Sequence, residues 1–439
     1  MKRSFTRSSR LANYLIFTVL ALVPFHALLT IWASSLVGHY TLLRLWDDGL
    51  LLVLFGIACW WLVREAALRH WFFRSLLVRL ILAYAGLTLL MAAVSYAKHD
   101  VTPKALGYGL LVNLRFLAWF LGVLLAAQRS PLLKRYWPRL VIIPAAIVVV
   151  FAVLQYTVLP HDWLAHVGYN AATTIAPIET INHNAHYIRV QSTLRGANPL
   201  GAYLVVVLST LGVLILRGQR RVLCAGLAAV SLAALYASGS RSAWLGTLLS
   251  LATIGWLQLR SRRARFIFAA AGVGLALLAA GAFLVLKNNA GLENAVLHTQ
   301  NHSASAVSSN QAHANALQSG VEDTLHQPFG DGPGTAGPAS EYNGDHAPRI
   351  AENYYLQVAE EVGWLGLAVF ISILGLVGME LYQQVARSRL ALVLFGSLIG
   401  LAFVNFLSHA WADDSLAYLW WGLAGVALSV PVSVERDEA

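Results

Sequence analysis

Residues 129–159 read RSPLLKRYWPRLVIIPAAIVVVFAVLQYTVL, a short basic block followed by twenty positions without a charge. About 20 apolar residues in a helix cross the hydrocarbon core of a bilayer. The same alternation of basic block and apolar run recurs along all 439 residues. The chain is 58% hydrophobic and 12% charged, where a soluble domain has about 45–50% and about 25%. Too little polar surface exists to cover a water-soluble particle of this size. A soluble enzyme and a disordered chain are thereby excluded. The +10 net charge does not point to nucleic acid, because it is not gathered on one solvated face. The expected fold is an all-α polytopic membrane protein, one membrane domain over residues 1–439.

Walking outward from 140–159, apolar runs predict twelve spans. The others are 12–36, 49–63, 76–97, 106–127, 199–216, 222–238, 242–259, 266–286, 358–379, 390–408 and 415–432. The first is read as a retained span, since no small-residue cleavage site follows it. Cys59 and Cys224 lie in apolar runs and form no disulfide framework. Basic residues gather on the cytoplasmic side of membrane proteins. With both termini cytoplasmic, 22 of the 31 basic residues fall on that side, eight fall opposite and Arg115 lies within a span. Two long segments then face outward, 160–198 and 287–357, the second between spans nine and ten. Long loops in a compact fold commonly carry function.

The arginines on the disfavoured outer side draw attention first. Arg189 and Arg195 precede Asn198-Pro199, a helix-start signal, so two guanidiniums stand beside a helix N-terminus suited to an anion. Arg241 sits in Ser238-Gly-Ser-Arg-Ser242, too short a hairpin for the charge to leave the membrane surface. The outer loop carries His313, then Pro328-Phe-Gly-Asp-Gly-Pro-Gly334. That glycine-rich stretch lacks the Gly-Lys-Ser/Thr of a Walker loop and is a weak phosphate cradle. The loop ends in Glu352-Asn353-Tyr354-Tyr355, with Glu360, Glu361, Gly363 and Gly366 beyond. Glu352 is a candidate general base, or a carboxylate favoured by a helix N-terminus.

Other features read more blandly. His183 with His186, and His298 with His302, have metal-compatible spacing but no matching partners, and no metal is expected. Asp413 and Asp414 either meet a divalent ion or cap a helix. Arg115 must face the bundle interior, where it touches a lipid diphosphate or braces packing. Trp60, Trp61, Trp420 and Trp421 fit an interfacial aromatic belt.

Taken in order, these clusters resemble the O-antigen ligase and polymerase superfamily of bacterial envelope glycosyltransferases. The resemblance rests on Arg189 to Asn198-Pro199, the Ser-Arg-Ser hairpin at Arg241, and an outer loop with Pro-Phe-Gly-Asp-Gly-Pro-Gly that ends in Asn-Tyr-Tyr-Leu. It covers roughly 185–370; earlier residues match only as spans. It implies a GT-C-like fold of about twelve spans in the bacterial inner membrane, with its active site on the periplasmic face. The implied reaction takes a glycan from undecaprenyl diphosphate and gives it to lipid A–core (ligase) or to another lipid-linked glycan (polymerase). Arginines are implied to hold the diphosphate. In ligases a histidine directly before the asparagine is implied as base; here that position is Glu352, which leans the reading toward a polymerase.

The residues give a parallel chemical reading. Fixed cations at Arg189, Arg195 and Arg241 suit a diphosphate, with Asn353 and Tyr355 also expected to touch substrate. Glu352 is the first choice of base, with His313 and His346 behind it. The expected enzyme is metal-independent, inverting and without a cofactor. Its expected partners are the lipid-linked donor, a glycan or lipid A–core acceptor and membrane lipids, with no nucleic acid. A flippase or other transporter is the reading from a different class. It would place charges in a central cavity and show repeats or broken helices. An acyltransferase would want a histidine deep in a span.

Overall fold

The computed structural model describes residues 7–181, 184–286, 309–344 and 346–429; His183, His298 and His302 lie outside the described residues. Each of the twelve predicted apolar runs is helical over most of its described residues. The first is broken: α1 (Arg7–Leu22) and α2 (His26–Val37) flank a 3₁₀ turn at Val23–Phe25. Pro24 cannot donate a helical hydrogen bond. The carbonyls around it also accept from hydroxyls, Val23 from Ser415 (2.9 Å) and Pro24 from Thr193 (2.8 Å). Such side-chain partners are what a break at membrane depth requires. Then come α3 (Trp46–Arg64), α4 (Leu76–Ala97), α5 (Pro103–Arg129) and α6 (Leu132–Thr157). They are followed by α7 (Ala197–Leu216), α8 (Arg221–Ala237), α9 (Arg241–Gln258) and α10 (Arg262–Leu286). After the outer-loop helix α11 (Ser309–His326) come α12 (Tyr354–Gln384), α13 (Arg389–Asn405) and α14 (Asp414–Leu428).

Among the described residues, eight helical segments are long and apolar enough to cross a membrane, α1 and α2 together counting as one. α8 and α13 are apolar but shorter, and α14 has 15 residues. The protein is thus a polytopic helical membrane protein, with several segments shorter than the twelve full spans expected. The short ones lean on neighbours. α9 and α13 touch backbone to backbone, where a Cβ on Gly400 would stand 2.2 Å from the Gly246 carbonyl. Small residues at such crossings let helices pack where lipid gives no hydrophobic drive. α5, α7 and α14 are buried over most of their length. α10 has no buried residue among those described, and its apolar side chains face outward as lipid-facing helices do.

The middle of α14 corrects one expectation. Trp420 and Trp421 are fully buried; Trp421 packs edge to face with Trp420 and with Trp411, and Trp420 lies tilted against Trp411. They are core, not belt, because α14 runs through the centre of the bundle. Trp61 is also buried, its ring under the Arg129 guanidinium and its Nε1–H on Ser8; of the four, Trp60 alone is exposed.

α12 breaks at Gly363, whose φ of 77° lies in the left-handed region. The break frees backbone groups, and the glycine-rich loop takes them. Asp331 and Gly332 N–H groups donate to the Glu360 and Glu361 carbonyls (2.8 and 2.9 Å), and Trp364 N–H donates to Pro328 (3.0 Å). The Glu361 carboxylate accepts from Gly334 N–H and from Asn113 Nδ2, both at 2.7 Å. The loop therefore turns its N–H groups toward α12 and is a helix-break cap, not a phosphate cradle. Arg349 secures it from outside through Asp323, Asp331 and Gln327 (2.6–3.1 Å).

Candidate active site at one end of the bundle

The segment before α7 forms a two-stranded antiparallel hairpin, β1 (Glu179–Ile181) with β2 (Asn184–Arg189), in which Glu179 stands opposite Arg189. That register pins Arg189. Its Nε donates to the Ser238 carbonyl (2.9 Å), one Nη donates to Asn198 Oδ1 (2.5 Å), and the other lies 3.9 Å from Glu179. Glu179 also accepts from Ala197 N–H (3.0 Å), so one carboxylate both braces the arginine and caps α7. Burial raises the Glu179 carboxyl above its usual range, against the pull of Arg189 and of that N–H.

Arg189 thus reaches the α8–α9 hairpin, where Arg241 opens α9. Arg241 donates to Asn310 Oδ1 (2.8 Å) on α11. His313 follows one turn later on the same helix and contacts Glu352 through Nδ1. Its imidazole is held below the usual value of 6.5, by burial first and then by Arg241 and Arg189. Glu352 has φ 51°, rare for a residue with a side chain. Asn353, directly after it, caps α12 through its side-chain oxygen on the Tyr355 and Leu356 N–H groups (2.9 and 3.1 Å).

Arg189, Arg241, His313 and Glu352 all line one cavity of about 490 Å³. Asn198, Asn310 and Ser242 add polar groups, while Leu245, Leu317, Phe406 and Leu407 supply an apolar wall. Four of the named site residues lie elsewhere. Arg195 donates to the Tyr108 hydroxyl (3.1 Å) and lines a separate small cavity. His346 is exposed. Asn353 is spent as a cap, and the Tyr355 hydroxyl donates to the Ala402 carbonyl (3.1 Å). Asn310 was missed, although its place one turn before His313 was readable. Glu179, Phe406 and Leu407 left no signal in the sequence.

Charge, hydrogen-bond donors and a base-capable pair in a half-apolar cavity at one end of a helical bundle define a class. This is a polytopic helical membrane protein with a charged cavity at one end of its bundle. Residues 225–371 match the family described as O-antigen ligase, a likeness that supports the O-antigen ligase and polymerase superfamily. The matched segment carries Arg241, Asn310, His313 and Glu352 and begins after Arg189. No curated protein matches the chain.

Proposed function

We propose that the protein transfers a glycan from an undecaprenyl-diphosphate-linked donor to a glycan or lipid-linked acceptor, at the periplasmic face of the bacterial inner membrane. The observation that carries this reading is the meeting of Arg189 and Arg241 with the His313–Glu352 pair in one cavity. The two guanidiniums hold the donor diphosphate, their planar forks matching phosphate oxygens. As the C1–O bond to the diphosphate breaks, the leaving oxygen takes the electron pair, and the arginines stabilise that charge. The apolar wall at Leu245, Phe406 and Leu407 suits the lipid beyond it.

The acceptor hydroxyl gives its proton to the pair. By sequence Glu352 is the first choice of base. In the fold its carboxylate lies on His313 Nδ1, so the two act as a unit in which Glu352 orients the imidazole and His313 Nε2 takes the proton. A single displacement inverts the anomeric carbon, with no metal needed for the chemistry. Arg195 has no part in holding the diphosphate, since it lies in another cavity.

A polymerase extending a lipid-linked glycan is the favoured acceptor reading, with transfer to lipid A–core as the alternative. The imidazole of His313 beside Glu352 is compatible with either acceptor. The test uses purified protein in detergent, with lipid-linked glycan and no membrane potential. Chain extension or transfer that vanishes in Arg241→Ala supports the reading. Full activity in that variant removes the diphosphate role, and retention of configuration removes the single displacement.

A further inference from the structure

A second cluster lies apart from this cavity, where α2, α3 and α14 meet. His26 opens α2, Asp47 lies in the first turn of α3, and Asp414 opens α14. His26 is 4% exposed, Asp47 0% and Asp414 7%. His26 Nδ1 stands 3.6 Å from Asp47 Oδ2 and 3.8 Å from Asp414 Oδ2. These separations are too long for hydrogen bonds. Among the described residues, His26 Nδ1 and Asp47 Oδ2 have no hydrogen-bond partner, and neither has the buried hydroxyl of Thr30, one turn along from His26. Unpaired groups at such depth cost free energy unless something lies between them.

We propose that His26, Asp47 and Asp414 bind one divalent metal ion of the Zn²⁺ or Mn²⁺ kind. One imidazole nitrogen and two carboxylate oxygens form a donor set for such ions. Ligands about 2.0–2.2 Å from a tetrahedral ion stand about 3.3–3.6 Å apart, near the distances seen here. All three donor atoms lie within 4.8 Å of one another. A cavity of about 20 Å³ adjoins the cluster, lined by His26, Thr30 and Asp414 together with Arg44 and Arg195, with Asp47 outside its lining.

The charges agree. Asp47, Asp48 and Asp414 bring three negative charges, and Arg115, which contacts the other oxygen of Asp414, brings one positive. Asp48 is held by the Tyr418 hydroxyl (2.8 Å). A divalent ion with a neutral His26 balances those four groups; Arg44, Arg195 and Asp413 beside them add one further net positive charge. Two more arginines stand at the rim, Arg44 and Arg195, but both turn a nitrogen to the Tyr108 hydroxyl (2.5 and 3.1 Å). Asp413, also at the rim, caps α14 through Leu416 N–H (3.1 Å). The ion would tie the two N-terminal helices to the C-terminal one. This role is structural and independent of the proposed transfer chemistry.

The experiment strips the full-length protein in detergent with a chelator, adds Zn²⁺ or Mn²⁺, desalts it and counts bound metal by mass spectrometry. One equivalent per chain is expected, with loss in His26→Gln and Asp47→Asn and retention in the exposed control His70→Gln. The same ion should raise the melting temperature of the unsubstituted protein and leave both variants unmoved. No bound metal in the unsubstituted protein overturns the proposal, as does equal retention in the two variants. If neither variant folds, X-ray absorption of the bound ion decides. One imidazole nitrogen with carboxylate oxygens supports the site, and any other ligand set overturns it.

Discussion

His313 and Glu352 come from segments with no local reason to meet, and each is unusual alone. Glu352 holds a left-handed backbone conformation of the kind that collects at functional sites and costs about 1–3 kcal/mol. His313 is pressed below 6.5 by burial, Arg241 and Arg189. Its imidazole is therefore neutral at pH 7, and transfer should fall off only on the acid side, as pH drops past the lowered value. Removing a positive neighbour moves that value up. Histidine NMR titration should place His313 below 6.5 in the unsubstituted protein and higher in Arg241→Ala; an unmoved titration would separate the two groups. As a unit, His313→Ala and Glu352→Gln should each reduce kcat by about 10²–10⁴-fold, with the double variant little worse than the worse single. Additive losses would mean independent roles. The sequence marked Arg189, Arg195 and Arg241 alike, because each violates the charge bias. That signal reports the face of the membrane on which a residue lies, not the cavity it enters. The β1–β2 hairpin turns Arg189 one way and the entry to α7 turns Arg195 the other, and neither turn has a local signature.

At the scale of elements, the instructive case is α12 with its capping loop. Pro328–Gly334 reads as a loop from composition, and Gly363 reads as a glycine within a span. That one completes the other is a contact between segments some thirty residues apart, which periodicity does not record. It predicts a sharp contrast within one helix. A Cβ at Gly363 would stand 2.5 Å from the Phe329 carbonyl oxygen, on a backbone of φ 77°. A Cβ at Gly375 meets nothing within 4 Å. Gly363→Ala should lower stability by about 1–3 kcal/mol, seen as a lower melting temperature in detergent and a reduced folded yield. Gly375→Ala should be neutral, or stabilising by about 0.5–1 kcal/mol. Equal melting temperatures for the two variants would mean that the break is not fixed by the loop. The tryptophans of α14 teach the same lesson. Hydropathy locates the span, but whether a span is central or lipid-facing depends on its neighbours.

For the whole molecule, alternating apolar runs and basic blocks made the helical architecture legible, since each run is a local property. Length was less legible: α14 stops at Leu428, and shared burial with α5 and α7 lets a helix so short sit in the bundle. The direction of the bundle follows from charge. The cavity holding Arg189, Arg241, His313 and Glu352 is built from the starts of α7, α9 and α12 and from residues just past the end of α13. A cavity lined by His70, Arg74, Glu380, Gln383 and Leu428 gathers the far ends of α12 and α14. The positive bias predicts that this second end faces the cytoplasm. Single cysteines test this once the native pair is removed by Cys59→Ser and Cys224→Ala. Leu317 and Gln383 are both exposed in the fold, one at each end. In cells with a permeabilised outer membrane, a membrane-impermeant maleimide should label Leu317→Cys. It should reach Gln383→Cys only after the inner membrane is opened. The reverse pattern would put the arginine cavity in the cytoplasm, where the proposed lipid-linked donor chemistry has no place.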